Sequence, residues 1–214
     1  MTLKPDDSDL ASFKDIFARL ADQSGLKVPT GIADPLSRHW RELVIWNRKI
    51  NLTAVTDLDQ AVSRHYLDSL ALLPAVGNAG SILDVGSGAG FPGLVVAVAR
   101  PKLRVHLVES AGKKAHFLLH VRRILGCSNV EIHESRLEDL DRALEFDIIT
   151  GRAAADPKTF AELVKNRLSP GAKLALFIKG ADPPVFRGYR LDNSYEYRLP
   201  FVDKTRTIAT YVIK

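Results

Sequence analysis

The chain has 214 residues, of which 46% are hydrophobic and 26% charged, enough for one α/β domain with a small appendage. This composition excludes a largely disordered protein, and no stretch reaches the ~18 consecutive apolar residues of a membrane-spanning helix. A net charge of +5 is compatible with a polyanionic partner, while a single cysteine excludes an internal disulfide and a multi-cysteine metal site. The N-terminus is acidic and lacks the apolar segment of a secretory signal, so we expect a cytoplasmic protein. We also expect no metal centre.

The N-terminal part, residues 1–78, predicts a small module of helices, because its apolar residues recur at helical spacing. The first helix is expected to end near Gly25, and the last one to be stopped by Pro74. Trp40 and Trp46 are flanked by basic residues, but we expect them in the hydrophobic core rather than as platforms for nucleic-acid bases.

From residue 81 onward, short β-branched segments alternate with helical patterns, which is typical of βαβ units and a mostly parallel sheet. The last two segments, "SYEYRL" and "RTIATYVIK", are separated only by "PFVDKT". This connection is too short for a crossover helix, so it predicts an antiparallel hairpin. Residues 79–214 are therefore predicted to form a Rossmann-like domain with a seven-stranded, mostly parallel sheet.

The first predicted strand, "SILDV", runs into "GSGAGFPG", which places four glycines in eight residues where a ligand can approach the backbone closely. The loop contains G-x-G-x-x-G, typical of proteins that bind the pyrophosphate of NAD. Yet the carboxylate of Asp84, two residues before the first glycine, would repel a diphosphate. S-adenosylmethionine carries a sulfonium and an ammonium group and no phosphate, so the loop is interpreted as its binding site. Phe91 and Pro92 at the helix entry also favour apolar packing over a phosphate site.

Two further positions support a bound nucleoside. Glu109 ends the second strand, where an acidic side chain binds both ribose hydroxyls, although NAD and S-adenosylmethionine share that ribose. Leu137 and Glu138 follow the third strand, where the adenine is expected. Glu138 could equally belong to the first turn of a helix.

Seven segments occur in the order seen in one known family: "NLTAV", "RHYLDSL", "DVGSGAGFPG", "ESAGKKAHFL", "SRLEDL", "FDIITGRAAAD" and "FIKG". Over residues 35–214 the chain resembles the RsmG family, also called glucose-inhibited division protein B. "RHYLDSL" and the Phe-Pro-Gly end of the loop make the resemblance specific. It implies a class I S-adenosylmethionine-dependent methyltransferase that modifies N7 of a guanine in 16S ribosomal RNA.

The resemblance also implies site residues. Carried over position by position, the cofactor contacts of the family fall on Gly86, Phe91, Leu137, Glu138 and Arg152, while Asp84, Gly88 and Glu109 match the general class I pattern. One departure concerns the residue before Arg152, where family members commonly have serine and this chain has Gly151.

Arg152 is the candidate catalytic residue. It is expected at the carboxyl end of the fourth strand, where its guanidinium could stack on a base or hold a phosphate. The alternative is a salt bridge to Glu138 or Asp156. The candidate RNA-binding residues are Arg64, His65, Lys113, Lys114 and Lys179. Their alternatives are an ion pair between Arg64 and Asp68 four residues apart, and a solvent-facing helix surface for the two adjacent lysines.

Guanine N7 has an in-plane lone pair and no proton, so its methylation requires in-line geometry rather than a general base or a covalent intermediate. Two other functions remain open from the sequence: an NAD-dependent oxidoreductase, and an inactive RNA-binding or assembly protein on the same scaffold. The expected partner is 16S ribosomal RNA, in the small subunit or an assembly intermediate, and the protein is expected to be a monomer that contacts no membrane.

Overall fold

A mixed sheet forms the centre of the molecule. The computed structural model describes residues 7–152, 156–168 and 170–214, with side chains from residue 10 onward. The strands are β1 (Ser81–Val85), β2 (Arg104–Val108), β3 (Val130–His133), β4 (Ile148–Thr150), β5 (Lys173–Lys179), β6 (Tyr189–Tyr197) and β7 (Arg206–Ile213). Their order across the sheet is β3-β2-β1-β4-β5-β7-β6.

The first five strands run parallel, and β7 pairs antiparallel with both β5 and β6. This arrangement confirms the predicted sheet and its C-terminal hairpin. After β3 the chain crosses over β1 to form β4 on its other side, so a crevice opens between the carboxyl ends of β1 and β4, the usual ligand position in such sheets. The pairing of β5 with β7 also sets Arg206 opposite Lys179 near this edge.

The helices cover both faces of the sheet. They are α1 (Asp7–Ser24), α2 (Ala33–Asn47), α3 (Leu58–Ala61), α4 (Asp68–Leu70), α5 (Leu73–Val76), α6 (Gly93–Ala99), α7 (Gly112–Leu125) and α8 (Pro157–Val164). A wider π-helical turn, Val62–Leu67, joins α3 and α4 into one continuous helix. Two 3₁₀ turns, Leu137–Asp139 and Lys165–Arg167, complete the set, and the first of them stands between β3 and β4 in place of a full crossover helix.

The N-terminal helices begin and end largely as predicted. α1 ends before Gly25, whose φ of 66° suits glycine. The prediction that Pro74 stops the long helix is wrong, because that helix ends at Leu70 and Pro74 lies in the first turn of α5. Proline fits there because the first N–H groups of a helix have no intrahelical acceptor. Trp40 is buried as expected, and Trp46 packs edge-on against Phe117.

Two hydrophobic cores lie on the two faces of the sheet. The larger core joins the N-terminal helices to α6 and α7, through side chains such as Phe13, Leu43, Val96 and Phe117. The smaller core lies beneath α8. The N-terminal helices thus share one core with α6, α7 and one face of the sheet, and a domain boundary after residue 78 stays a prediction. Within the described part of the chain, no helix is both long and apolar enough to cross a membrane.

The tightest contact between the glycine loop and the sheet is at Gly93, the first residue of α6. A Cβ at this position would lie 2.3 Å from Leu107 Cδ2 and 2.7 Å from Asp84 Oδ2. We expect Gly93→Ala to lower the free energy of unfolding by about 1–3 kcal/mol in urea denaturation, because the added methyl group overpacks a buried site. Gly80→Ala is the matched control, since its Cβ would meet only Asp147 Oδ2 at 3.4 Å. Equal stability losses in the two variants would contradict this account.

Candidate functional site

The glycine loop follows β1 and positions the carboxylate of Asp84 beneath it. Gly86, Gly88 and Gly90 have φ values of 71°, 56° and 91°, a region that glycine enters without steric cost. The loop is tied to the next strand, because the N–H groups of Gly86 and Ser87 donate to the Val108 carbonyl at 2.8 and 3.1 Å. The glycines therefore form a fixed backbone turn at the carboxyl end of the sheet.

Asp84 is fully buried and only partly satisfied. Its Oδ2 accepts a hydrogen bond from the Gly93 N–H at 2.9 Å. Its Oδ1 is buried and has no hydrogen-bond partner among the described residues. Burial raises the pKa of Asp84 to about 6, although the Gly93 N–H lowers it. A buried acceptor with a free oxygen beside a glycine loop is suited to a cationic ligand group.

Glu109 closes the other side of the loop. It is 7% exposed, and its two carboxylate oxygens accept from the Gly88 N–H at 2.9 Å and the Ala111 N–H at 2.8 Å. The carboxylate is thus held at the ends of β1 and β2 by backbone donors. These contacts bring Glu109 next to Gly88, and the role of both residues toward a nucleoside stays a prediction.

Leu137 and Glu138 lie in the 3₁₀ turn after β3. Leu137 is buried and Glu138 is exposed. The Arg167 guanidinium fixes this turn, because its Nη2 donates to the carbonyls of Leu137 and Leu140 at 2.7 and 2.6 Å. Glu138 therefore lies in a single 3₁₀-helical turn, and its role toward the cofactor stays a prediction.

Phe91 links the glycine loop to the N-terminal helices. Its ring is 5% exposed, stacks on His65 at a centroid distance of 4.7 Å and meets His39 and Tyr66 edge-on. The Tyr66 hydroxyl donates to Nδ1 of His39 at 2.7 Å, and Nε2–H of His39 donates to the Ala89 carbonyl at 2.9 Å. The ring of Phe91 thus packs against the helical module, and its contact with the cofactor stays a prediction.

Arg152 extends from the end of β4 across to the π-helical turn. Its Nη1 donates to the Arg64 carbonyl at 2.7 Å and to Asp68 Oδ2 at 3.1 Å. The guanidinium carbon lies 5.2 Å from the centre of the Phe91 ring, in cation–π range. Arg152 thus pairs with Asp68, and not with Glu138 or Asp156 as the alternative in the sequence analysis had it.

His65 contacts Arg152 and has an uncharged ring. Arg152 Nη2 donates to its Nδ1 at 3.1 Å, which leaves Nε2–H to donate to Thr53 Oγ1 at 2.8 Å. Burial and the neighbouring guanidinium lower the pKa of His65 to about 3. His65 is therefore neutral at physiological pH and orients Arg152.

Asp68 has a larger structural role than its sequence position indicates. It is fully buried and accepts from Arg152, from Arg206 Nη1 with both oxygens at 3.0 Å, and from the Tyr197 hydroxyl at 2.7 Å. The predicted alternative, an ion pair with Arg64, is wrong, because the carboxylate points to these three partners. Asp68 thus joins the helical module to β4, β6 and β7.

A cavity of about 670 Å³ opens beside this network, and it brings several predicted residues together. Arg64, His65, Arg152 and Lys179 line it, with Phe160 and Phe177 among its apolar side chains. Its lining also includes Arg206, which sequence reasoning missed. The only signal for Arg206 was its place as the first residue of the last strand, opposite Lys179 once the strand pairing is known.

Lys113 and Lys114 lie elsewhere. They occupy the first turn of α7, after Glu109, and are not part of the cavity lining. Lys113 is exposed and Lys114 is partly buried. Their predicted contact with RNA would therefore require a surface that extends past the cofactor side of the site.

Gly151 departs from the family pattern for a packing reason. A Cβ at this position would lie 2.7 Å from the Phe160 ring and 2.8 Å from the Val85 carbonyl oxygen. Because α8 places Phe160 directly against the backbone before Arg152, this chain has no space for a serine there.

One histidine pair lies outside the site. Nδ1 of His106 and Nε2 of His133 are 3.1 Å apart, and carboxylate oxygens of Glu131 lie 3.7 and 3.6 Å from these nitrogens. The histidines satisfy each other by a hydrogen bond in which one ring donates and the other accepts. These three side chains lie on β2 and β3, and they do not line the cavity beside Arg152.

The residues at the loop fit S-adenosylmethionine. The free Oδ1 of Asp84 is a buried acceptor for a cationic group, and the Glu109 carboxylate suits a pair of ribose hydroxyls. A diphosphate would instead lie against two buried carboxylates.

We expect Asp84→Asn to stabilise the fold at high pH. The folded-state pKa of Asp84 is raised from 3.8 to about 6, so ionisation costs stability above pH 6 and costs nothing below about pH 4. Thermal or urea denaturation should therefore show Asp84→Asn more stable by up to about 3 kcal/mol at pH 8, with the difference vanishing near pH 4.

The same variant should bind S-adenosylmethionine more weakly in calorimetry, and wild-type affinity should fall as the pH drops through 6. Exposed Asp139→Asn is the control and should change neither property. A wild-type affinity that is constant from pH 5 to pH 8 would contradict the role of the ionised carboxylate.

We expect Asp68→Asn to lower the free energy of unfolding by about 3 kcal/mol, because two part-buried guanidinium groups lose their shared carboxylate. Urea denaturation at pH 7.5 measures this loss. The control is Asp34→Asn, which removes exposed ion pairs to Lys14 and Arg38 and should cost less than about 1 kcal/mol. Similar losses in the two variants would show that the network contributes no more than a surface pair.

Solved structures with a similar fold include methyltransferases, at low sequence identity. A putative O-methyltransferase from Klebsiella pneumoniae has a TM-score of 0.55 at 14% identity, over 94% of this chain and 97% of that chain. A SAM-dependent methyltransferase from Aquifex aeolicus has a TM-score of 0.54 at 19% identity, over 76% and 97% of the two chains. These similarities concern the fold alone.

Relatives identified by sequence have a higher identity to this chain than these solved structures have. The Ribosomal RNA small subunit methyltransferase G of Xanthomonas oryzae is 37% identical over 210 residues, 94% of this chain and 97% of that protein. The protein of the same name from Roseiflexus is 42% identical over 153 residues, 69% of this chain and 65% of that protein. The family described as rRNA small subunit methyltransferase G, or GidB, matches residues 33–184. With this fold, this glycine loop and these relatives, the chain belongs to the GidB family of rRNA small subunit methyltransferases.

Proposed function

We propose that this protein transfers a methyl group from S-adenosylmethionine to N7 of a guanine in 16S ribosomal RNA. The observation that carries the proposal is the unpartnered, fully buried Oδ1 of Asp84 beneath the glycine loop. A buried anion with a free acceptor matches a sulfonium or ammonium group and disfavours a dinucleotide. The relatives named rRNA small subunit methyltransferase G support the RNA substrate.

The cofactor is assigned to one side of the crevice. Asp84 and the loop of Gly86 and Gly88 face the charged end of the cofactor, and Glu109 binds its ribose. Leu137 and Glu138, in the turn that Arg167 fixes, flank the adenine. When bound, S-adenosylmethionine supplies the methyl group: the guanine N7 lone pair forms the new N–C bond, and the electrons of the broken C–S bond remain on sulfur.

The guanine is assigned to the cavity on the other side of Arg152. Its volume of about 670 Å³ accommodates a base extruded from the RNA, and its lining is apolar at Phe160 and Phe177 and cationic at Lys179. Arg152 touches the base or its phosphate, and Asp68 and His65 hold the guanidinium in place. The protein thus acts by orientation and exclusion of water.

No side chain in this arrangement needs to remove a proton. His65 is a candidate base beside Arg152, but its ring nitrogens are both engaged and its pKa is about 3. This arrangement suits a nucleophile such as N7, which has no proton to lose. We extend the proposal to a cytoplasmic protein that acts as a monomer on the small subunit or its precursor.

Methyl mapping tests the function. Cells that lack the gene should lose one N7-methylguanine from 16S RNA, and the purified protein should restore it with S-adenosylmethionine on subunits from those cells. An unchanged methylation pattern would favour an inactive RNA-binding protein, and tight binding of NAD without S-adenosylmethionine would favour an oxidoreductase.

The catalytic assignment has its own measurement. Arg152→Lys should lower kcat by at least about tenfold, because an ammonium cannot contact Asp68, the Arg64 carbonyl and His65 together. The exposed Arg142→Lys is the control. The wild-type kcat should be constant from pH 7 to pH 8.5, since His65 is already neutral and Asp84 already ionised there. A rise of kcat with a pKa near 7.5 would reveal a general base and contradict the mechanism.

A further inference from the structure

The loop between β6 and β7 presents one aromatic ring to solvent in an unusual backbone conformation. Phe201 is 51% exposed and has a φ of 59°, the one positive φ outside glycine in the described residues. A bulky residue in this region is a genuine outlier, and such strain persists only where surrounding contacts enforce it. At this position an apolar ring is half-exposed instead of buried.

Contacts from the π-helical turn fix this loop. The Ser63 hydroxyl donates to the Pro200 carbonyl, and Arg64 Nη2 donates to the Phe201 carbonyl at 3.2 Å. The Val202 N–H donates to the Leu199 carbonyl at 3.2 Å, and Leu199 itself is buried. The position of Phe201 is therefore set by the same helical segment that lines the cavity with Arg64 and His65.

The surroundings of the loop are cationic. A hollow of about 300 Å³ beside it is lined by four basic side chains, one acidic and two uncharged: Arg64, Lys179, Lys204, Arg206, Asp203, Val202 and Thr205. Three of these cations, Arg64, Lys179 and Arg206, also line the larger cavity. A continuous basic surface thus leads from the proposed guanine pocket to the loop that carries Phe201.

We propose that Phe201 is a stacking platform for an unpaired nucleotide beside the target guanine, with the intervening phosphates on Arg64, Lys179 and Lys204. Proteins bind single-stranded RNA by aromatic rings that stack on bases and by cations that follow the backbone. Both elements occur here, side by side and adjoining the cavity. The inference rests on the proposed methylation of ribosomal RNA and adds a second base-binding position to it.

The experiment separates stacking from a structural role by two substitutions at one position. Phe201→Gly removes the ring and relieves the positive φ, while Phe201→Tyr keeps an aromatic face. Phe201→Gly should weaken binding to unmethylated small subunits by about 5- to 100-fold. It should leave S-adenosylmethionine affinity unchanged and the Tm unchanged or higher. Phe201→Tyr should bind as the wild type does, and so should the control Val185→Ala, which shortens another exposed apolar side chain.

Crosslinking locates the base. A photoreactive p-benzoylphenylalanine at position 201 should crosslink to a nucleotide within about two positions of the methylated guanine. Wild-type affinity in Phe201→Gly, equal losses in Phe201→Gly and Phe201→Tyr, or a crosslink to a ribosomal protein would each overturn the inference. These outcomes presuppose that the wild-type protein methylates the subunit, so failure of the proposed function itself would be recognised first by absent methylation.

Discussion

The site depends on one buried carboxylate that serves two guanidinium groups. Asp68 receives Arg152 from the end of β4 and Arg206 from the start of β7, while Tyr197 on β6 completes its hydrogen bonds. Without it, three separate parts of the chain would have no common anchor at the cavity. Because one carboxylate is shared between two guanidinium groups, the net charge of this network is positive. All three groups line the cavity, so this charge favours the binding of a polyanion there.

Asp68 and Asp84 are both fully buried, yet their surroundings differ in kind. Asp68 has a partner for each oxygen and belongs to the framework. Asp84 has one oxygen satisfied by the loop and one left free, so its environment is incomplete without a ligand. One buried carboxylate thus holds the framework together, whereas the other keeps an oxygen without a hydrogen-bond partner, as a site for a cationic group requires.

The sequence was sufficient for features that depend on local pattern. The alternation of strands and helices, and the positions of Asp84 and Glu109 at the ends of neighbouring strands, follow from periodicity and spacing. The partners of Asp68 could not be predicted from local sequence pattern. Arg206 is 138 residues away, and its placement depends on the order of strands across the sheet. The rule that residues four apart on a helix meet also failed for Arg64 and Asp68, since the helix between them is not a regular α-helix.

The π-helical turn Val62–Leu67 depends on the number of residues in this segment as well as on their identity. A π-helical turn holds one residue more than an α-helical turn, and here it lets Arg64 face outward while Asp68 faces the network. Removing a single residue would convert this turn to an α-helical one, so the side chains within the turn would point in different directions while the helices on either side keep their orientation. A substitution in this segment therefore alters the contacts of one side chain. An insertion or deletion alters which side chains of the turn face solvent and which face the network.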